Sequence, residues 1–109
     1  MTLNEYQKKA LSTAIFKPED KYVYPALKLA GESGEVAEKV GKVIRDFGAN
    51  FSDTRIRNDL AKELGDVLWY IAAMADSLGF SLDQIGEMNI EKLHSRKLRN
   101  KIKGSGDNR

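Results

Sequence analysis

Apolar residues recur every three to four positions along nearly the whole of this chain, and alternating β-branched runs are scarce. That period fits an α-helix and not a strand, so an all-α fold is expected. Capping residues, glycines and prolines then divide the pattern into four helices. Thr2 followed by Glu5 is a capping-box pair and opens a first helix expected over Leu3–Phe16, with Leu3, Tyr6, Ala10, Leu11 and Ala14 on its apolar stripe. Pro18 is expected to end it, because a proline drives the residue before it out of the α region. A second helix is expected from Pro25, a good first-turn residue, to Phe47, with Gly48 as its left-handed terminator and Leu29, Val36, Val40, Val43 and Phe47 as its stripe. After the short link Ala49–Ser52, a third helix capped by Ser52 or Asp53 runs to Leu78 before Gly79. Its stripe is Ile56, Leu60, Leu64, Val67, Ile71, Met74 and Leu78, widened by alanines at 72, 73 and 75. Ser81 with Gln84 is a second capping box and opens a fourth helix expected over Leu82–Lys101. The short second link makes the second and third helices an antiparallel hairpin. The expected architecture is a four-helix bundle-like core around that hairpin.

The 109 residues suit one domain, read here as residues 1–103, with 104–109 a flexible tail that substrate could order. So small a helical core often gains stability by self-association. The chain has no cysteine, which excludes disulfides, thiolate nucleophiles and zinc–thiolate sites. No apolar run reaches the roughly 18–20 residues that cross a bilayer. Met1–Glu5 lacks the basic and apolar regions of a signal peptide, so a cytoplasmic protein without membrane contact is expected. Net charge is only +2. The basic stretch Lys92–Lys103, which contains no acid, is either a solvated helix end or a phosphate-facing surface. The near-neutral total and an acidic face argue against a nucleic-acid binder.

That acidic face is made by two pairs, Glu32-x-x-Glu35 and Glu63-x-x-Asp66. Residues three apart share a helix face, and like charges at that spacing repel. Counting turns from the link places the two pairs level to within about one turn, roughly 5 Å. At ~100° per residue, Glu32 and Glu63 both lie about 60° from the centre of their stripes, and Glu35 and Asp66 about 120°, in the same sense. In an antiparallel pair this puts all four carboxylates on one open side. Such a group repels itself unless some members protonate or a cation neutralises them. Oxygen ligands without His or Cys favour Mg²⁺, Mn²⁺ or Ca²⁺ over zinc. The alternative is four solvated acids paired with Lys39, Lys42 or Lys62, on a non-enzymatic helical interaction module. Gly31, Gly34 and Gly65 each directly precede one of the acids, at roughly 1 kcal/mol of helix propensity each. Either close helix packing or room for metal and phosphate accounts for them.

The motifs Gly31-Glu32-Ser33-Gly34-Glu35, a spacer of 27 residues, and Glu63-Leu64-Gly65-Asp66-Val67-Leu68 resemble the ExxE…ExxD signature of the MazG-like nucleotide pyrophosphohydrolases. These belong to the all-α NTP pyrophosphatase superfamily, with dimeric dUTPases and phosphoribosyl-ATP pyrophosphohydrolases. The run Asn89-Ile90-Glu91-Lys92-Leu93-x-x-Arg96 and the ending Gly104–Arg109 are also similar to the C-terminal part of MazG-like proteins. The resemblance spans Ala26 to the end. It implies a homodimer or homotetramer with Mg²⁺ (or Mn²⁺) on Glu32, Glu35, Glu63 and Asp66, converting a nucleoside triphosphate and water to a monophosphate and pyrophosphate. One of the acids, for which Glu35 is the candidate, could orient the attacking water as a base. Tyr70, one turn after Asp66, is implied as a nucleobase contact, with ordinary packing as the alternative. Asn89, Lys92, Arg96 and Arg99 share one face of the fourth helix. The first three are candidate triphosphate ligands, and Arg99 is more simply an exposed base. Trp69 is expected at a subunit contact, and His94 at the surface.

Overall fold

The computed structural model describes all 109 residues and contains four α-helices, one 3₁₀ turn and no strand. The helices are α1 (Leu3–Leu11), α2 (Val23–Asp46), α3 (Thr54–Ser77) and α4 (Leu82–Leu98), and the 3₁₀ turn is Pro18–Asp20. The all-α expectation is met.

Local chemistry explains where each helix starts and stops. Thr2 Oγ1 accepts the Glu5 N–H at 3.1 Å, one half of the expected box. α1 stops at Leu11 and does not reach Phe16. The Ser12 and Thr13 hydroxyls turn back onto the carbonyls of Lys9 and Ala10, each at 2.6 Å, and offer the backbone an alternative to another helical turn. The Trp69 indole N–H seals this end, donating to Ala10 O and Thr13 Oγ1 at 3.1 Å. Trp69, expected at a subunit contact, therefore finds its partner on α1 of its own chain.

α2 begins at Val23, two residues before the expected start. Buried Pro25 then sits in the first turn, where a missing N–H costs no helical bond. Gly48 ends the helix at φ 60°, and Ala49 shares that left-handed conformation at φ 58°. Asp53, and not Ser52, caps α3 by accepting the Ile56 N–H at 3.1 Å. Gly79 at φ 84° closes it. There the Phe80 N–H returns to Ala75 O at 2.8 Å and the Gly79 N–H to Asp76 O at 2.9 Å, a Schellman arrangement. The Ser81–Gln84 box forms in full. α4 ends at Leu98, short of Lys101, because Asn100 turns left-handed at φ 56° and the Lys101 N–H returns to Arg96 O at 2.7 Å.

α2 packs along α3, α1 packs on α3 and α4, and α4 makes no contact with α2. The core is small: Ala72, Ala75 and Leu82, ringed by Tyr6, Leu68, Ile71 and Ile85. Buried Gln7 staples three elements, donating from Nε2 to Ala72 O and Phe80 O and accepting the Leu82 N–H on Oε1, all at 3.1 Å. Only nine of the 109 residues are buried, and Phe47, Leu64 and Leu78 of the expected stripes stand exposed.

Candidate metal centre

The packing of α2 on α3 brings the two acidic pairs together. Glu32, Glu63 and Asp66 each offer a carboxylate oxygen, and these oxygens lie within 4.8 Å of one another. Glu35 stands beside this triad, on the same exposed flank. The charge of Glu32, with Glu63 adding to it, holds the Glu35 carboxyl above its ordinary range. That direction agrees with the repulsion inferred from the spacing.

The cluster is only partly neutralised by the chain. Lys39 Nζ lies 3.0 Å from Glu63 Oε1, and that hydrogen bond raises the lysine above its ordinary value. Lys28 stands 3.8 Å from Glu32. Lys42 pairs with Glu38 at 3.2 Å and does not reach the acids. The other oxygen of Glu63, Oε2, is buried without any hydrogen-bond partner. A buried carboxylate oxygen left bare is costly, and a cation is the partner its charge calls for. An all-oxygen set of half-buried and exposed carboxylates fits a hard divalent ion such as Mg²⁺. The flanking glycines face open space: no atom of the chain lies within 4 Å of a Cβ built at Gly31, Gly34 or Gly65. Close packing inside the chain is thus not what keeps them small.

Tyr70 adjoins the acids. Burial pushes its hydroxyl up to about 12, with Tyr24, Glu32 and Asp66 adding to the shift. The Tyr24 and Tyr70 rings meet edge to face at 6.2 Å, Trp69 lies 4.9 Å from Tyr70, and Lys28 Nζ is 5.9 Å from the Tyr70 centroid. Tyr6 of α1 also reaches the site, its hydroxyl raised by burial and then by Asp66. Sequence reasoning missed Tyr24 and Tyr6 as site residues. Tyr24 fell outside a helix started at Pro25, although Tyr24, Lys28 and Glu32 recur every four residues. Tyr6 was absorbed into an apolar stripe.

The α4 candidates lie elsewhere in this chain. Asn89 is exposed. Lys92 Nζ pairs with Asp107 at 3.0 Å. Buried Arg96 donates to Asp107 Oδ1 and Gly106 O at 3.3 Å. The tail thus folds back on α4, and Arg109 bonds the carbonyls of Lys101, Ile102 and Gly106.

Residues 25–99 match the family model of the MazG nucleotide pyrophosphohydrolase domain. The chain belongs to the MazG family. The matched span holds all four acids, Tyr70, Asn89, Lys92 and Arg96, and excludes Tyr6, Tyr24 and Asp107. A curated relative, the Gene 37 protein of Mycobacterium phage L5, is 46% identical over 86 residues, covering 79% of this MazG chain and 75% of the phage protein. No solved structure matches. No helix is long and apolar enough to cross a membrane.

Proposed function

We propose that this chain is a Mg²⁺-dependent pyrophosphohydrolase, with Mn²⁺ as a substitute, that converts a nucleoside triphosphate and water to a nucleoside monophosphate and pyrophosphate. The carrying observation is the carboxylate cluster with its bare, buried Glu63 oxygen, in a chain of the MazG family. We read α2 and α3 as an antiparallel hairpin that holds the two pairs level.

Glu32, Glu63 and Asp66 would hold the cation, with Glu35 completing the set. A divalent ion supplies charge neutralisation at phosphoryl oxygens and lowers the pKa of water. Glu35 would take the proton of the attacking water as general base. The water oxygen bonds to the α-phosphorus, and the bond from that phosphorus to the bridging oxygen breaks. The bridging oxygen leaves with pyrophosphate. Such transfer rests mainly on positioning and electrostatics. Tyr70 presents a ring to the nucleobase. Asn89, Lys92 and Arg96 are assigned to the triphosphate, which requires release from Asp107 or delivery to the acids of a second copy. A homodimer or homotetramer fits the sparse burial of the single chain.

Pyrophosphate release from a panel of NTPs and dNTPs tests the reading, with Mg²⁺ and with the metal chelated, for wild type and Glu35→Gln. Metal-dependent release with a monophosphate co-product, reduced at least a hundredfold in the variant, is expected. A folded wild type that releases pyrophosphate from none of them rejects the reading and leaves the helical interaction module.

A further inference from the structure

The two oxygens of Glu63 have different surroundings. Oε1 has Lys39 Nζ 3.0 Å away. Oε2 is buried and has no hydrogen-bond partner. The Glu63 side chain is only 14% exposed, so the lysine reaches in from the flank to a carboxylate that is mostly covered. Lys39 belongs to α2 and Glu63 to α3, so the pair also bridges the two helices that carry the acids. The other lysines near the cluster do not bridge them. Lys28 stands 3.8 Å from Glu32 within α2, and Lys42 is turned to Glu38 of its own helix.

A metal ligand is held in place by an outer partner on the atom that does not bind the ion. A carboxylate engaged in this way offers a cation one oxygen instead of two. That restricts which ion it suits. Ca²⁺ takes about six to eight oxygens in flexible geometry and accepts both oxygens of one carboxylate. Mg²⁺ demands a near-octahedral shell, keeps several waters and needs only one or two carboxylates. A glutamate confined to Oε2 suits the second ion.

We propose that Lys39 is a positioning residue: it holds Oε1 of Glu63, leaves Oε2 as the single ligand atom of that side chain, and so biases the centre toward Mg²⁺ and against Ca²⁺. The inference rests on the metal-site reading above and adds to it a residue that selects the ion. Lys39 stays charged and paired with Glu63 throughout and does not itself ligate the cation. Its two effects on a bound ion separate cleanly. A neighbouring ammonium repels any divalent ion, and removing it strengthens Mg²⁺ and Ca²⁺ binding by the same factor. Freeing Oε1 helps only the ion that can use both oxygens. The ratio of the two affinities therefore reports the positioning and cancels the charge.

Mn²⁺ binding followed by electron paramagnetic resonance, with Mg²⁺ and Ca²⁺ as competitors, tests this without requiring turnover. Wild type is expected to bind all three ions. Lys39→Met should shift the ratio of Mg²⁺ to Ca²⁺ affinity toward Ca²⁺ by about fivefold or more. Lys39→Arg keeps a cation on Oε1 and should hold the ratio within about twofold of wild type. Lys42→Met removes an equal charge one turn further along α2 and should also leave the ratio within about twofold. Should Lys39→Met lose helicity by circular dichroism, Lys39→Gln carries the same test, with a shift of about threefold or more expected. An unchanged ratio in the Lys39 variants, however far both affinities move together, overturns the proposal while the metal-site reading stands. An equal shift in Lys42→Met overturns it as well. A folded wild type that binds none of the three ions rejects the metal-site reading itself, and the role of Lys39 falls with it.

Discussion

At the scale of single residues, Glu35 and Glu63 belong to one cluster but answer to different surroundings. Glu63 has a lysine on one oxygen and nothing on the other. Glu35 is exposed and is set chiefly by the charge of Glu32. Because its carboxyl is raised, folded Glu35 holds its proton more tightly than unfolded Glu35. The folded state then binds more protons, and stability falls as pH climbs from the ordinary glutamate range through the raised value. Metal-free Glu35→Gln is accordingly expected to be more stable than wild type near neutrality and to lose that advantage below about pH 4. Thermal melts of both proteins at the two pH values check this, and a difference that ignores pH would reject the repulsion. The acids were legible in the sequence because two i,i+3 pairs and a helical period fix their faces. Tyr6 was not, since only the docking of α1 on α3 carries it to Asp66.

At the scale of elements, helix starts were more legible than helix ends. Asp53 and the Ser81–Gln84 box act through neighbours three residues away, so their chemistry is written locally. The end of α1 depends on Trp69, far along the chain, and the end of α4 on a tail that folds back. Gln7 is the clearest non-local joint. Gln7→Ala strands two carbonyls and one N–H at the meeting of α1, α3 and α4. Each unmet buried group costs about 1–3 kcal/mol, so a loss of about 3 kcal/mol or more is expected in urea denaturation. A loss below about 1 kcal/mol would mean that water takes over the staple. The tail joint is electrostatic. Lys92, and then Arg96, hold the Asp107 carboxyl below its ordinary range. The contact is therefore present above the unfolded aspartate value and is lost as pH falls through the lowered one. Asp107→Asn is expected to speed protease cleavage within residues 99–109 several-fold at neutral pH while leaving helicity unchanged. Equal cleavage rates would show that the bonds of Arg109 and the Arg96–Gly106 bond hold the tail without Asp107.

At the scale of the whole molecule, the single chain is open. Its radius of gyration is 16.7 Å, against about 13 Å for a compact domain of this length. One flank of α2 carries Leu27, Gly34, Gly41 and Ile44 at helical spacing, with Leu27 68% and Ile44 57% exposed. No atom of the chain comes within 4 Å of a Cβ built at Gly34 or Gly41, so a second helix could approach the backbone there. Leu64 of α3 is also 57% exposed. Periodicity could not reveal this, because it marks an apolar stripe without saying whether the same chain or another copy covers it. The wild type is expected to be a dimer or larger in light scattering at tens of micromolar, with a melting temperature that rises with protein concentration. Leu27→Asp/Ile44→Asp buries charge at the contact and is expected to give a monomer of lower stability. A wild type that stays monomeric, with a melting temperature independent of concentration, would show that the open fold stands alone. A variant that still assembles would move the contact to another face, for which exposed Leu64 is the next position to charge.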